Sequence, residues 1–330
     1  MTTQLYIDLH LHLDGAITVD IARKLAAIQS ISIEGTDEEL AKRLTVPEDC
    51  TSLNDFLECF ALPLSLMQTA EGIREAVFLV AENIRQQGVI YAEIRFAPQL
   101  HTTQGLSQQE VIAAALEGLH RTQLKANLIL CCMRGTGNEA ANELTVSLAK
   151  KYLVEDGGVV AIDLAGAEAL FPTKNYQKLF EKARKEKIPF TIHAGEADGA
   201  DSVRCAIEYG ARRIGHGVRA KEDASLLRLA KEKHIFFEMC PTSNVLTHAI
   251  DNIREFPLFE YMEYGIPVTL NTDDMAIEGI TLSDEYERME QVFGMKGEQK
   301  RTLLDYAVEA AFTTEEVRND LKRQLNTSKF

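Results

Sequence analysis

The first apolar run of the chain alternates. In DLHLHLDG, Leu9, Leu11 and Leu13 point to one side of an extended strand, and His10 and His12 point to the other. With LYIDLHL as the first, eight strand-like stretches can be read. The others are VIYAEIRF from Val89, ANLILCCM from Ala126, VVAIDLAG from Val159, PFTIHAG from Pro189, RRIGHG from Arg212, HIFFEMCP from His234 and IPVTLNTDD from Ile266. Between most of them apolar positions recur three and four apart, as in NYQKLFEKARKEK at 175–187 and DASLLRLAKEKH at 223–234, which is the period of an amphipathic helix. Short, nearly all-apolar strands alternating with such helices predict an α/β fold with a parallel sheet covered on its outer face. Eight of them predict closure into a (β/α)8 TIM barrel. An open doubly wound sheet is the alternative, although no G-x-G-x-x-G follows an early strand.

The repeat is interrupted once. Between the first and second strands lies a long stretch read largely as helix: TVDIARKLAAIQ, EELAKRL, SLNDFLECFALPLSLM and AEGIREAVFLVAENIRQQG. A helical insertion at about 30–88 is expected to form a lid or pocket wall, because the loops beyond the C-terminal strand ends of a barrel carry its function. The tail from Glu298 reads as outer helices. No linker, low-complexity run or internal repeat divides the chain, so residues 1–330 are expected to form a single barrel domain.

Composition narrows the partners. Hydrophobic residues make up 45% and charged residues 26%, the balance of a globular chain with a large core. The net charge of −15 argues against a nucleic-acid binder and against docking on an anionic membrane. A small neutral or cationic substrate fits better. The cysteines at 50, 59, 131, 132, 205 and 240 form no C-x-x-C pair and are expected to be reduced, mostly buried thiols. No signal peptide or membrane-length apolar run is seen, so a cytoplasmic protein is expected.

The polar residues on the strands supply the chemistry. His10 and His12 close the first strand, His193 the fifth and His216 the sixth; Asp273 and Asp274 close the eighth. In a barrel these ends converge on one face. Three histidines and a carboxylate suit zinc, with room for a water whose pKa the metal would lower toward about 7. Glu196, three residues after His193, is placed to donate a proton; the plainer reading is a cap for the following helix. His216 would take a proton from the water or hold it electrostatically. Asp163 and Glu238 would orient His193 and His216 as outer acceptors, or form structural salt bridges. His101, His120, His234 and His248 read as ordinary, and Cys240 as a buried, inert thiol.

DLHLHLDG, DLAG, HAGE, RIGHG, CPTSN and LNTDD, in this order and spacing, resemble the adenosine deaminase family of the barrel amidohydrolases over residues 5–275. The resemblance implies zinc-dependent hydrolysis of adenosine, and of 2'-deoxyadenosine, to inosine and ammonia, with one Zn2+ per chain on His10, His12, His193 and Asp273. It implies that Glu196 protonates the ring nitrogen beside the amino-bearing carbon and that His216 assists the water. Asp274 would accept a hydrogen bond at the opposite ring nitrogen, and the Gly166 backbone would contact the third pyrimidine-ring nitrogen. His12 and Asp14 would also be substrate contacts. Aspartate at 14, where adenine-specific relatives carry glutamate, favours a ribose. Leu53, Phe56 and Phe60 match an apolar helix that covers the ribose side, although the same spacing suits a helix core. Two departures stand out: CPTSNVL is a bacterial-type or adenine-type variant, and MAIEG follows LNTDD without the usual proline.

Two other readings compete. One is deamination of adenine or of another modified aminopurine nucleoside. The other is a non-catalytic nucleoside-binding protein, which would be expected to have lost a ligand or the acid. A nucleic-acid deaminase is disfavoured because the H-x-E and P-C-x-x-C signature is absent.

Overall fold

A computed structural model describes residues 4–47, 50, 56 and 59–328. Eight parallel strands form the centre: β1 Tyr6–His12, β2 Val89–Phe96, β3 Lys125–Met133, β4 Val159–Ala165, β5 Thr191–Ala194, β6 Arg213–His216, β7 Phe236–Met239 and β8 Val268–Leu270. They are buried almost throughout, as strands covered on both faces must be. The hydrogen bonding runs in two sets of four, β1 to β4 and β5 to β8. Two narrow seams join the sets. Ile162 N–H donates to Pro189 C=O (3.1 Å) at one; His12 N–H donates to Asp273 C=O and Asp273 N–H to His10 C=O (both 2.8 Å) at the other. The result is the closed TIM barrel that the alternation predicts.

Between β1 and β2 run four described helices: α1 Val19–Ile28, α2 Asp37–Leu44, α3 Ala61–Leu66 and α4 Ala70–Gln86. Threonines start three of them, with Thr18, Thr36 and Thr69 each accepting a backbone N–H of the first turn. Val46, Phe56, Cys59 and Ile277 form a small separate core, so this segment packs against the chain just beyond β8. Val46 N–H also donates to Ile277 C=O (2.8 Å).

The barrel's interior is ionic. Arg95 spans Asp163 (2.9 Å) and Glu238 (2.8 Å), while Arg213 spans Glu238 (2.5 Å) and Glu93 (2.6 Å), all with fully buried side chains. Buried charges persist only when paired and hydrogen-bonded in this way. No helix among the described residues is long and apolar enough to cross a membrane.

Candidate active site

At the C-terminal end of the barrel, β1, β5, β6 and the chain after β8 bring five donors together. His10, His193, His216 and Asp273 present ligand atoms all within 4.8 Å of one another. His12 Nε2 lies 3.2 Å from His193 Nε2 and 3.4 Å from Asp273 Oδ1. His10 Nε2 lies 3.1 Å from His193 Nε2 and 3.2 Å from Asp273 Oδ1. His216 faces the other carboxylate oxygen, with Nε2 3.6 Å from Asp273 Oδ2 and 3.6 Å from Glu196 Oε2. His216 and Asp273 both adopt left-handed backbone conformations, with φ of +61° and +63°. Such strain is tolerated best where it serves a site.

The donor chemistry fits a divalent cation. The Nδ1 atoms of His10 and His193 face carboxylates, Glu238 at 2.7 Å and Asp163 at 2.8 Å, so both rings turn Nε2 toward the same point. Two imidazole lone pairs 3.1 Å apart repel unless a positive charge lies between them. Separations of 3.1–3.4 Å among His10, His12, His193 and Asp273 are close to the edge of a coordination tetrahedron, roughly 3.4 Å for bonds of about 2.1 Å. Burial, together with the other charged rings, lowers His193 to about 4 and His12 well below its usual value, so both offer lone pairs. Burial opposes ionisation of Asp273, but His10 and His216 hold it well below the carboxylate range. Against burial and Arg95, Asp273 and Glu238 raise His10, so a proton and a cation compete for the same centre.

One expected pairing is corrected. Glu238 does not orient His216; it accepts from His10 Nδ1 and from Arg95 and Arg213. The register pairs Glu238 with Gly215, so His216 projects past the paired end of β7. There Asn244, on the short helix Pro241–Leu246, lies 3.0 Å from His216 Nδ1. Asp163 does face His193, and despite burial His193 and Arg95 hold it well below the usual range.

A cavity of about 370 Å³ opens over this centre, within the usual size of a small-molecule site. His12, Asp14, Gly166, Glu196, His216 and Asp274 line it. Burial lifts the Glu196 carboxyl, against the pull of His216 and with the help of Asp273, which favours its acid form facing the cavity. Burial lifts Asp14 to about 6. It lifts Asp274 well above the carboxylate range, with Asp273 and Asp14 adding to it. That direction favours the acid form of Asp274, which donates, over the acceptor role that the resemblance implies. Gly15 makes room for it, since a Cβ there would fall on the Asp274 carboxylate. Phe56 and Phe60, with ring centroids 5.9 Å apart, form part of the apolar wall, and Leu53 lies outside the described residues.

Some lining residues were not anticipated from sequence. They are Glu168, Arg219, Ser243 and His248, the last of which had read as ordinary. Asn244 was not singled out either, although it sits in the CPTSN motif. Cys240 is buried, and burial with Asp273 raises its thiol well above normal, consistent with an inert cysteine.

Comparison with known proteins bears on this site. Residues 6–328 match the family model described as "Adenosine deaminase". The chain is 44% identical over 317 residues to the adenosine deaminase of Haemophilus ducreyi, covering 94% of this chain and 92% of that one. It is 38% identical to that of Clostridium perfringens, covering 96% of each. Among solved structures, an adenine deaminase from Arthrobacter aurescens superposes with a TM-score of 0.87 at 24% identity, covering 98% of both chains, and so shows the shared fold. With a barrel whose strand ends gather histidines and aspartates around one buried point, and a match that runs nearly end to end, the chain belongs to the adenosine deaminase family.

Proposed function

We propose that this chain hydrolyses adenosine to inosine and ammonia, with His10, His12, His193 and Asp273 holding one zinc ion. The observation that carries the reading is the Glu196 carboxyl, 3.6 Å from His216, at the mouth of a buried histidine and carboxylate cluster. When bound, the cation is a Lewis acid that makes water a competent nucleophile at neutral pH.

The chain's own residues do the rest. Asp273 turns Oδ1 toward His10 and His12 and Oδ2 toward His216, which supports placing His216 outside the ligand set as the base. Glu196 gives its proton to N1 of the purine, drawing electrons from C6 so that water adds there. Asp274 donates its hydroxyl to N7, which carries only a lone pair. The Gly166 N–H meets N3. Gly166 has φ of +102°, so a side chain there would be strained. Asp14 accepts from a ribose hydroxyl, with the Phe56 and Phe60 wall covering the sugar. His216 then passes the proton it took from the water to the amine, which leaves as ammonia, while the C6 hydroxyl returns a proton to Glu196 and becomes the carbonyl.

The test is ultraviolet spectroscopy of the purified, zinc-loaded protein with adenosine, 2'-deoxyadenosine and adenine. Conversion of both nucleosides, with adenine far slower, is expected. Turnover of adenine alone would overturn the ribose assignment, and zinc binding with no turnover would overturn the enzymatic reading.

A further inference from the structure

Glu168 is buried, and none of the roles above uses it. It lies two residues after Gly166 on the loop that follows β4. Its carboxylate accepts four backbone N–H groups from one short segment: Gly195 on Oε1 (2.8 Å), and Glu196 (3.0 Å), Ala197 (2.8 Å) and Asp198 (3.1 Å) on Oε2. That segment follows β5 and precedes the helix Ala200–Tyr209. Gly195, at φ of +71°, turns the amides to converge. The other side of the Glu196 peptide is held too, since Arg219 Nε donates to Glu196 C=O (3.1 Å).

We infer that Glu168 is a positioning residue for Glu196, clamping its backbone so that the carboxyl is presented at a fixed place in the cavity. A charged acceptor binding four N–H groups is stronger than neutral hydrogen bonds and more directional than packing. The clamp also joins two loops. The Gly166 N–H and the Glu196 carboxyl are meant to meet the same edge of one purine ring, and Glu168 ties their segments at a set spacing. An ångström of drift in the acid would cost turnover while leaving most binding contacts in place. The inference deepens the reading of Glu196 as proton donor and rests on it.

The test uses the zinc-loaded protein with Glu168→Ala and Glu168→Gln. Glutamine keeps the volume of the side chain but turns an NH2 toward N–H groups, which guards against a result caused by a cavity. Both variants are expected to keep their metal and lose about 100-fold in kcat for adenosine, the scale of a misplaced group, with KM within about threefold. Added formate should restore part of kcat in Glu168→Ala and none in Glu168→Gln, where the hole is filled. In a Glu196→Gln background the further change Glu168→Ala should cost less than about threefold, because no acid proton remains to misplace. Amide exchange at 195–198 should rise in both single variants, whatever the substrate.

Equal losses with and without Glu196, or unchanged exchange at 195–198, would overturn the inference. Full activity of Glu196→Gln would overturn the donor role and the inference together. A wild-type protein that leaves adenosine unchanged would overturn the proposed reaction alone, and the exchange measurement would then decide the clamp.

Discussion

Asp274 shows how its surroundings set what a side chain can do. Its backbone N–H donates to Glu278 (3.1 Å), its Oδ1 is buried without a hydrogen-bond partner among the described residues, and Asp14 and Asp273 both press against its ionisation. A bound cation would offset part of the Asp273 effect, but burial and Asp14 remain. A donated hydrogen bond from the acid form into the cavity is therefore expected. Asparagine can donate as well, and alanine cannot. Asp274→Asn is expected to keep at least tenfold more kcat/KM for adenosine than Asp274→Ala, about 1.4 kcal/mol of transition-state stabilisation. Steady-state kinetics on the two variants decide the point; equal losses would overturn the donated hydrogen bond. At this scale the sequence was legible wherever a histidine or aspartate broke an apolar strand at its end, as His10, His12, His193 and Asp273 do. Glu168 and Arg219 were not legible, because their partners are backbone groups of a distant loop and no local period marks them. Asn244 had its motif on view, but only the fold reveals that it reaches His216.

Among elements, the inserted helices are tied to the barrel by a few polar contacts. After α3, Met67 C=O accepts from the buried His101 Nδ1 (3.0 Å), and Gln68 Nε2 donates to Leu100 C=O (3.0 Å). His101 Nε2 is buried without a hydrogen-bond partner among the described residues, and burial lowers the imidazole to about 4. The sign of the effect follows from linkage. Between about 6.5 and 4 the unfolded chain takes up a proton that the folded chain refuses, so stability is full above pH 6.5 and falls as pH drops through that window. The ceiling is about 3 kcal/mol at about 1.36 kcal/mol per unit. His101→Asn keeps a donor for Met67 and removes the titration. Urea melts are expected to show wild type losing stability relative to this variant between pH 6.5 and 4, with a constant difference above 6.5; a constant difference throughout would sink the assignment. The strand pattern was readable because buried parallel strands are short apolar runs. The ends were less so: β8 is only Val268–Leu270, since the residues after it leave sheet geometry to aim Asp273. Arg95 and Arg213 gave no signal, because one arginine in an apolar strand looks the same whether it faces water or a buried carboxylate.

For the molecule as a whole, the interior charges leave a remainder. Two guanidiniums, Arg95 and Arg213, pair with Glu93, Asp163 and Glu238, and the buried Asp273 and Asp8 add further carboxylates, an excess of negative charge that a divalent cation would offset. Chelation is therefore expected to lower the thermal midpoint as well as abolish turnover, and stability should return with added Zn2+ in a concentration-dependent way. The cation should also be stripped more readily at pH 5.5 than at pH 8, as protons compete for His10. An unchanged melting curve with and without chelator would show that the ionic interior is complete without the metal.

The two seams have a further consequence. His10, His12 and Asp163 belong to the first four strands, and His193, His216 and Glu238 to the last four, with Asp273 just after β8, so neither half owns a site. The centre is built as an interface between two half-barrels, and the ion that sits there would work as a rivet between them. Cutting the chain after the exposed Lys187, on the face away from the cavity, should give fragments that are inert apart. Co-expressed, they should reassemble into an active pair whose affinity rises with zinc, which titration calorimetry or a split-protein assay would read directly.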